Sequence, residues 1–226
     1  GIEVRAYTKA IGGISITSEN FSWNEMENNR LYMPDAVAAK AAESLLDSMM
    51  EETDSLGGVV ECVITGLPAG VGEPVFDKLD ANLAKAVFSI GAVKGFEIGD
   101  GFMAAESRGS LNNDSFCVGE HGEIEKATNH AGGILGGISD GSAVVFRAAF
   151  KPTPSIALAQ KTVNQKGEET VLEIKGRHDP VIVPRAVVVV EAMAALTVAD
   201  LVIQGMGSRV DKLKPWMAVK HLGEKI

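Results

Sequence analysis

The chain has 226 residues, of which 46% are hydrophobic and 23% are charged, a balance typical of a soluble globular protein. Its formal net charge of −9 argues against non-specific nucleic-acid binding, which requires a basic face, but allows a local basic pocket for a small anion. The two cysteines, Cys62 and Cys117, are too few for a disulfide framework, so reduced intracellular thiols are expected.

The first half of the chain predicts strands with two helices between them. One helix opens at Pro34-Asp35, since proline suits the first turn and aspartate the positive end of the helix dipole. Apolar residues then recur every four positions until Gly57-Gly58, and a second helix is predicted over residues 75–90. Strands are predicted over residues 2–7, 11–17, 59–65 and 93–98.

The second half ends in a long apolar helix. A mobile polar loop, a strand and a hairpin precede it, over residues 107–128, 143–150 and 161–174. Residues 186–203 are apolar enough for a membrane span, but they include Glu191 and Asp200, whose charges are unfavourable at a bilayer centre. A helix over residues 184–204, buried between layers or subunits on most of its circumference and not crossing a membrane, is therefore expected.

The strands run in pairs, and strict alternation of strand and helix is absent. This pattern favours an α+β fold, a layered sandwich of largely antiparallel sheets with helices on the faces. Aromatic residues make up 5% of the chain, so the core is expected to consist mainly of alanine, valine, isoleucine, leucine and methionine.

The segment 175–180 carries a cation, an imidazole and a carboxylate in succession. Arg177 offers a planar fork for a phosphate or carboxylate, and Asp179 beside such cations is held ionised and can accept a proton. The same residues, with His178 between them, also fit a solvated loop with a local ion pair, which is the commoner outcome for surface charges.

Two further segments suit a flat or anionic ligand. The run NHAGGILGG, residues 129–137, would let the backbone approach a ring or phosphate, but it equally fits a tight turn and matches neither a Walker loop nor a GxGxxG fingerprint. In KPTPS, residues 151–155, prolines stiffen a backbone that carries an ammonium and two hydroxyls. Between Arg147 and Arg185, seven lysines and arginines outnumber four acids, which favours an anionic ligand nearby.

Three other kinds of site find no support in the pattern. His130 and His178 have no companions at metal-ligand spacing, so no metal site is expected. A Ser-His-Asp hydrolase has little support, because the one G-x-S-x-G pattern, GISDG over residues 137–141, is followed by a predicted strand and not by the helix of a nucleophile elbow. A flavin oxidoreductase that transfers hydride would need a nicotinamide site, for which no sequence feature speaks.

Four runs of the sequence, in order, resemble the chorismate synthase family along essentially the whole chain. They cover residues 66–102 (from GLPAGVGEP to GDGF), 129–141 (NHAGGILGGISDG), 151–156 (KPTPSI) and 176–200 (GRHDPVIVPRAVVVVEAMAALTVAD). The resemblance implies a lyase that converts 5-enolpyruvylshikimate 3-phosphate to chorismate and phosphate. This 1,4-trans elimination ends the shikimate pathway of aromatic amino acid biosynthesis and needs reduced FMN without net redox change.

The resemblance also implies a cellular setting and an assembly. Members of the family are cytoplasmic flavoproteins and usually homotetramers when full length. The implied partner is a small anionic substrate, with neither nucleic acid nor membrane. Some members reduce the flavin with NADPH, so NADP belongs to the implied chemistry of the family.

Site residues follow from the resemblance position by position. The FMN contacts fall on Gly91, Ala92, Gly136, Lys151, Pro152, Thr153, Pro154, Ser155 and Arg177. Asp179 matches the family's catalytic aspartate, which is proposed to take part in proton transfer. Many relatives have asparagine where this chain has Gly91, so a backbone contact is expected there, and Thr128 stands where serine is usual.

The family begins with a Gly-Glu-Ser-His-Gly segment and later has an arginine-rich stretch, and neither occurs in this sequence. Those parts supply two proposed acid histidines and several substrate-binding arginines. The expectation is therefore a single chorismate synthase-like domain over residues 1–226, incomplete at the N-terminus and inactive as an isolated fragment. The alternative is a non-catalytic module that keeps packing and assembly surfaces but binds no ligand.

Overall fold

A computed structural model describes residues 1–120, 122, 124–176 and 178–207. The strands are β1 (Glu3–Ile11), β2 (Ile14–Ser15), β3 (Gly58–Thr65), β4 (Val93–Ile98), β5 (Phe116–Val118), β6 (Ile124–Lys126), β7 (Ile134–Leu135), β8 (Ile138–Ser139), β9 (Val144–Phe150), β10 (Gln160–Val163) and β11 (Glu169–Leu172). The helices are α1 (Trp23–Asn28), α2 (Ala36–Glu51), α3 (Leu79–Phe88), α4 (Gly109–Asn112) and α5 (Val183–Gly207), with a 3₁₀ turn over Gly101–Glu106.

A five-stranded antiparallel sheet in the order β2-β1-β3-β9-β4 organises the fold. Three two-stranded hairpins, β5-β6, β7-β8 and β10-β11, are also antiparallel. Two of the central strands alternate fully buried residues with more exposed ones, as strands with one face on a core do. The mixture of helices and antiparallel sheets confirms the predicted α+β class.

Helices α3 and α5 cover one face of this sheet. The pKa of the Cys62 thiol on β3 is raised, mainly by burial and secondly by the nearby carboxylate of Glu191 on α5. The β9 partner of Cys62 is Phe146, and both side chains are fully buried. On the other face, the rings of Tyr7, Phe21 and Trp23 form edge-to-face pairs with centroids 5.0–5.4 Å apart.

Local signals placed the helix starts with mixed success. Helix α2 begins at Ala36, which confirms the helix start predicted at Pro34-Asp35, although Pro34 precedes the first turn. Asp35 is the N-cap, and its side chain accepts hydrogen bonds from the backbone of Val37 and Ala38, a contact that was not predicted. Helix α3 is shorter than expected because Glu73 and Asp77 pair their backbones in a turn before it. Phe76, which fits the apolar spacing of a helix, is 91% exposed in that turn.

Two expectations about irregular regions also change. The predicted strand over residues 11–17 shrinks to β2, since β1 extends to Ile11 and Gly12-Gly13 form the turn. The predicted loop over residues 107–128 contains α4 and the β5-β6 hairpin, so it is not structureless. His121 and Glu123 of that stretch lie outside the described residues.

Helix α5 has one buried side and one exposed side, so this single chain does not by itself bury most of the helix's circumference as expected. Its buried side includes Val183, Ala186, Val187, Val190, Ala194, Val198 and Leu201. Its exposed side includes Val188, Val189, Leu196, Ile203 and Met206. By length and composition alone α5 could span a membrane, but its buried side packs on β1 and β3, as in a core helix.

Candidate functional site

The segment KPTPS begins where β9 ends and lies beside the residues that follow α3. The Lys151 amide donates a 3.0 Å hydrogen bond to the Ala92 carbonyl, one step beyond the paired residues Val93 and Phe150. Pro152 has no amide hydrogen, so the ladder stops there. The structure thus brings two of the sequence-predicted cofactor segments, 91–92 and 151–155, into contact.

Ala92 has a backbone conformation that L-residues rarely adopt. Its φ is +70°, in the left-handed region that favours glycine. Such strain persists only where the surroundings impose it, and it clusters at ligand sites. Gly91 before it faces open space: apart from its chain neighbours, no described atom would lie within 4 Å of a Cβ at this position. This corner therefore presents an uncovered backbone, as the expected backbone contact at Gly91 requires.

Thr153 is the most informative residue of KPTPS. Its hydroxyl oxygen is buried and has no hydrogen-bond partner among the described residues. Its carbonyl accepts a 2.7 Å hydrogen bond from the Ser55 hydroxyl, so the backbone is fixed while the side chain is unsatisfied. Buried polar groups are nearly always paired, so this hydroxyl calls for a polar ligand atom. Lys151, Pro152 and Pro154 are exposed, and Ser155 is half-buried.

Asp179 is held by a two-point ion pair with Arg185 in the first turn of α5. Arg185 Nη1 lies 2.8 Å from Asp179 Oδ2, and Nη2 lies 2.9 Å from Oδ1. The local ion pair that the sequence allowed is therefore present, and it also orients the carboxylate. Next to it, His178 Nε2 lies 2.9 Å from the Ile174 carbonyl oxygen. Arg177, the predicted flavin-contacting cation, lies outside the described residues.

A short segment between α2 and β3 connects the KPTPS segment with the Asp179 segment. Ser55 binds the Thr153 carbonyl, and the Leu56 amide donates a 2.7 Å hydrogen bond to the Pro180 carbonyl. Sequence reasoning used this stretch only as a helix stop at Gly57-Gly58. The available signal was a small polar residue and two glycines placed where backbones approach closely.

Gly136 does not join the other predicted cofactor residues in this chain. It lies in the turn between β7 and β8, and the next carbonyl, that of Gly137, accepts a hydrogen bond from Leu79 at the start of α3. Gly91 and Ala92 follow the end of α3, whose 10 residues span about 15 Å. Gly136 therefore lies at the opposite end of this helix from the Lys151 corner.

Asp114 anchors the glycine-rich run that contains Gly136. Its carboxylate accepts hydrogen bonds from the backbone amides of His130 (2.7 Å) and Ala131 (2.9 Å) and from the Thr128 hydroxyl (2.7 Å). Burial alone would raise the pKa of Asp114, but these donors and the nearby His130 ring lower it to about 2. Sequence reasoning placed Asp114 in a polar loop and missed this role.

The basic stretch identified in the sequence is partly neutralised by the fold. Arg147 Nε donates a 2.6 Å hydrogen bond to Glu97, and its Nη1 lies 3.6 Å from Glu61. Tyr7 in turn donates to Glu61, so a polar row crosses β1, β3, β9 and β4 at one register. Burial, followed by Glu61, raises the pKa of Tyr7. Arg147 is thus not an unpaired cation for a ligand.

Groups of three or more histidine, cysteine and acidic side chains that could hold a metal ion do not occur within the described ranges. The polar chemistry of the candidate site therefore comes from Lys151, Thr153, Asp179 and Arg185. These groups suit an anionic or hydrogen-bonding ligand and a proton acceptor.

Comparison with known proteins gives the family. A family model described as chorismate synthase matches residues 1–203. The chorismate synthase of Agathobacter rectalis is 59% identical over 213 residues, which cover 94% of this chain and 58% of the relative. That of Lachnoclostridium phytofermentans is 60% identical over 214 residues, covering 95% of this chain and 58% of the relative.

A solved crystal structure of chorismate synthase superimposes with a TM-score of 0.74 at 29% identity, covering 91% of this chain and 58% of the other. The chain thus spans little more than half the length of the curated relatives it matches. From the matched sequence and the shared architecture together, the chain belongs to the chorismate synthase family.

Proposed function

We propose that the chain forms part of the active site of a lyase that converts 5-enolpyruvylshikimate 3-phosphate to chorismate and phosphate with reduced FMN. The observation that carries the proposal is a series of contacts between these segments. Residues 91–92 bond to Lys151, and the segment that follows α2 bonds both to Thr153 and to Pro180, the residue after Asp179. These segments lie far apart in the sequence. Their contact in the fold favours a ligand site over three unrelated surface loops.

The flavin is proposed to bind along Gly91-Ala92 and Lys151–Ser155, with Arg177 as a further contact. Gly136, at the opposite end of α3, is not part of this surface. The unpaired hydroxyl of Thr153 supports this placement, because a buried donor needs an acceptor such as a flavin carbonyl or phosphate oxygen. When bound, reduced FMN supplies the electron density that weakens the allylic C–O bond of the substrate. Lys151, which is exposed, can pair with an anionic group.

Asp179 is proposed to hold the proton that the substrate loses from C6. The elimination removes that proton and the C3 phosphate, and the ring gains a double bond, so atoms and electrons balance without net oxidation. The Arg185 fork keeps both carboxylate oxygens in a fixed plane, which orients the group proposed to accept the proton.

The remaining parts of the proposal concern the whole protein. The contiguous core across the sheet, α2, α3 and α5 supports a single chorismate synthase-like domain over residues 1–226. In its complete form we propose a cytoplasmic homotetramer whose partner is the small anionic substrate. The competing proposal is a catalytically inactive folding and assembly module, which would keep the contiguous core but bind no ligand.

The test is made in a full-length protein that carries this chain's sequence. Asp179→Asn keeps the shape of the side chain but cannot accept a proton near neutral pH, so kcat should fall by about a hundred- to ten-thousandfold. FMN affinity should change little. Arg177→Ala should instead weaken FMN binding by about ten- to a hundredfold. A wild-type single-turnover rate in Asp179→Asn would exclude the catalytic role.

The inactive-module alternative is tested on the 226-residue chain alone. Titration with FMN should change the fluorescence of the flavin if residues 91–92 and 151–155 form a binding surface. An unchanged signal up to millimolar FMN would favour the assembly module for the isolated chain.

A further inference from the structure

The inference concerns residues 54–58, the connection that carries the chain from α2 into β3. Ser55 is 9% exposed, although it lies in a loop. Its amide is fixed by a 2.7 Å hydrogen bond to the side chain of Asp54. A buried, internally fixed loop between two regular elements is unusual, since connections mostly lie at the surface.

On one side this loop contacts the proposed flavin segment. The Ser55 hydroxyl donates to the Thr153 carbonyl at 2.7 Å, joining residues that are 98 positions apart. Gly57 packs directly on the same segment, since a Cβ there would lie 2.5 Å from the Phe150 carbonyl oxygen and 3.1 Å from Pro152 Cδ. Both contacts fix the backbone of the segment that carries the unpaired Thr153 hydroxyl.

On the other side the loop contacts the segment of the proposed proton acceptor. The Leu56 amide donates to the Pro180 carbonyl at 2.7 Å, and Leu56 forms a parallel bridge with Val181. Asp179 is the residue immediately before this contact. Consecutive residues of one loop, Ser55 and Leu56, therefore each hold one of the two ligand segments.

We propose that Ser55 is a positioning residue that sets the spacing between the flavin segment 151–155 and the carboxylate of Asp179. This role rests on the proposed function, because it presupposes a ligand at one segment and a proton acceptor at the other. Proton transfer is sensitive to displacements of about 1 Å, and loop segments do not keep such spacing without cross-links. Ser55 supplies that cross-link from outside the reacting groups.

The experiment compares Ser55→Ala with Ser48→Ala in the full-length protein. Ser48 is a matched control, since its hydroxyl also donates to a backbone carbonyl, that of Ser44 within α2, at 3.2 Å, but touches neither ligand segment. Loss of the Ser55 bond should weaken FMN binding by about two- to tenfold and lower kcat with little change in KM for substrate. Ser48→Ala should change neither quantity.

A double-mutant cycle separates this proposal from the proposed function. If Ser55 acts on turnover by positioning Asp179, Ser55→Ala should not lower kcat further in an Asp179→Asn background, while its effect on FMN affinity should persist. If Asp179→Asn alone retains full rate, the catalytic assignment fails, but the FMN measurement still tests Ser55.

A second variant guards against a folding defect. Ser55→Cys keeps the size of the side chain and donates only weakly, so it should reproduce the loss of FMN affinity with smaller effects on stability. FMN affinity and kcat equal to wild type in both Ser55 variants would overturn the proposal. The same loss in Ser48→Ala would also overturn it, because the effect would then reflect general destabilisation.

Discussion

Arg185 donates hydrogen bonds to Asp179 from both terminal nitrogens of its guanidinium, at 2.8 and 2.9 Å. The side chains are 73% and 36% exposed, so the pair should add at most about 1 kcal/mol to stability. Its value therefore lies in orientation, since a planar fork fixes the plane of the carboxylate that is proposed to accept a proton. The exposed position of the pair separates a functional effect from a structural one.

Arg185→Gln in the full-length protein should lower kcat by about tenfold or more, with a change in the free energy of unfolding below about 1 kcal/mol. Arg30→Gln is the matched control, because Arg30 and Glu43 form an ion pair with side chains 71% and 36% exposed. Both variants should lose similar stability in urea titrations, and only Arg185→Gln should lose rate. Equal rates in the two variants would refute the orienting role.

Asp35 caps α2 and ties it to the strand region before it. Its side chain is almost fully buried and accepts from Val37 and Ala38 at 2.9 and 3.0 Å and from the Thr17 amide at 3.1 Å. Asp35→Ala should therefore lower the free energy of unfolding by about 2 kcal/mol, at the upper end for a helix cap. Ser22→Ala is the control, because Ser22 precedes α1 without a side-chain capping bond and should change stability by less than about 0.5 kcal/mol.

The pH dependence of this effect has a definite sign. Burial alone would raise the pKa of Asp35, but the amides of Ala38, Thr17 and Val37 outweigh it and lower the pKa. A lowered folded-state pKa gives stability that is present above the unfolded value of about 3.9 and is lost as pH falls through the folded value. The difference between wild type and Asp35→Ala should thus shrink below about pH 4. A constant difference from pH 7 to pH 2 would contradict this.

Prediction from the sequence located the helix start at Asp35 but missed contacts elsewhere, and both outcomes have the same physical origin. A helix start depends on residues a few positions apart, so proline, aspartate and apolar spacing predict it. The antiparallel α+β class likewise follows from local strand patterns. The Ser55–Thr153 bond joins residues 98 apart, and the Arg147–Glu97 bond joins residues 50 apart. No spacing rule reaches that far.

For the candidate site, too, single residues could be predicted, whereas their long-range pairing could not. Resemblance to a family supplied Lys151, Thr153 and Asp179 as residues, but neither composition nor spacing could show that Arg147 is paired inside the sheet. The start of helix α3 was predicted too early for a related reason. Phe76 continues the apolar repeat, but the Glu73–Asp77 turn excludes it from the helix. Tertiary context decided each case.

Asp114 gives a prediction confined to the glycine-rich run. Asp114→Asn removes the charge that accepts from His130, Ala131 and Thr128, so the amides of residues 130 and 131 should exchange with solvent about tenfold faster. Because the folded pKa is lowered to about 2, wild-type protection should persist above pH 4 and disappear as pH falls toward 2. The amides of α3 serve as the internal reference for these exchange rates. Asp140→Asn is not used as a control variant, because Asp140 belongs to the same region.

Glu191 is an acidic residue in the middle of the apolar helix α5, and its position is explained by a contact with the sheet. Its Oε2 accepts a 2.9 Å hydrogen bond from the Ala6 amide of β1. Glu191→Leu makes the helix more apolar, yet it should lower the free energy of unfolding by about 1–3 kcal/mol, because the Ala6 amide would be left without its acceptor. Glu191→Gln retains an acceptor and should lose less.

Asp200 on the same helix is the matched control for this change. It is exposed, and among the described residues its side chain accepts from that of Gln204, one turn further on, at 2.7 Å. Asp200→Leu should therefore alter stability by less than about 0.5 kcal/mol in urea titration. If α5 owed its composition to a lipid environment, both substitutions would stabilise it alike, since each removes a charge that is unfavourable in a bilayer. A core helix instead predicts a loss of stability at Glu191 and little change at Asp200. Equal effects at both positions would refute the role of Glu191 as the acceptor for the Ala6 amide.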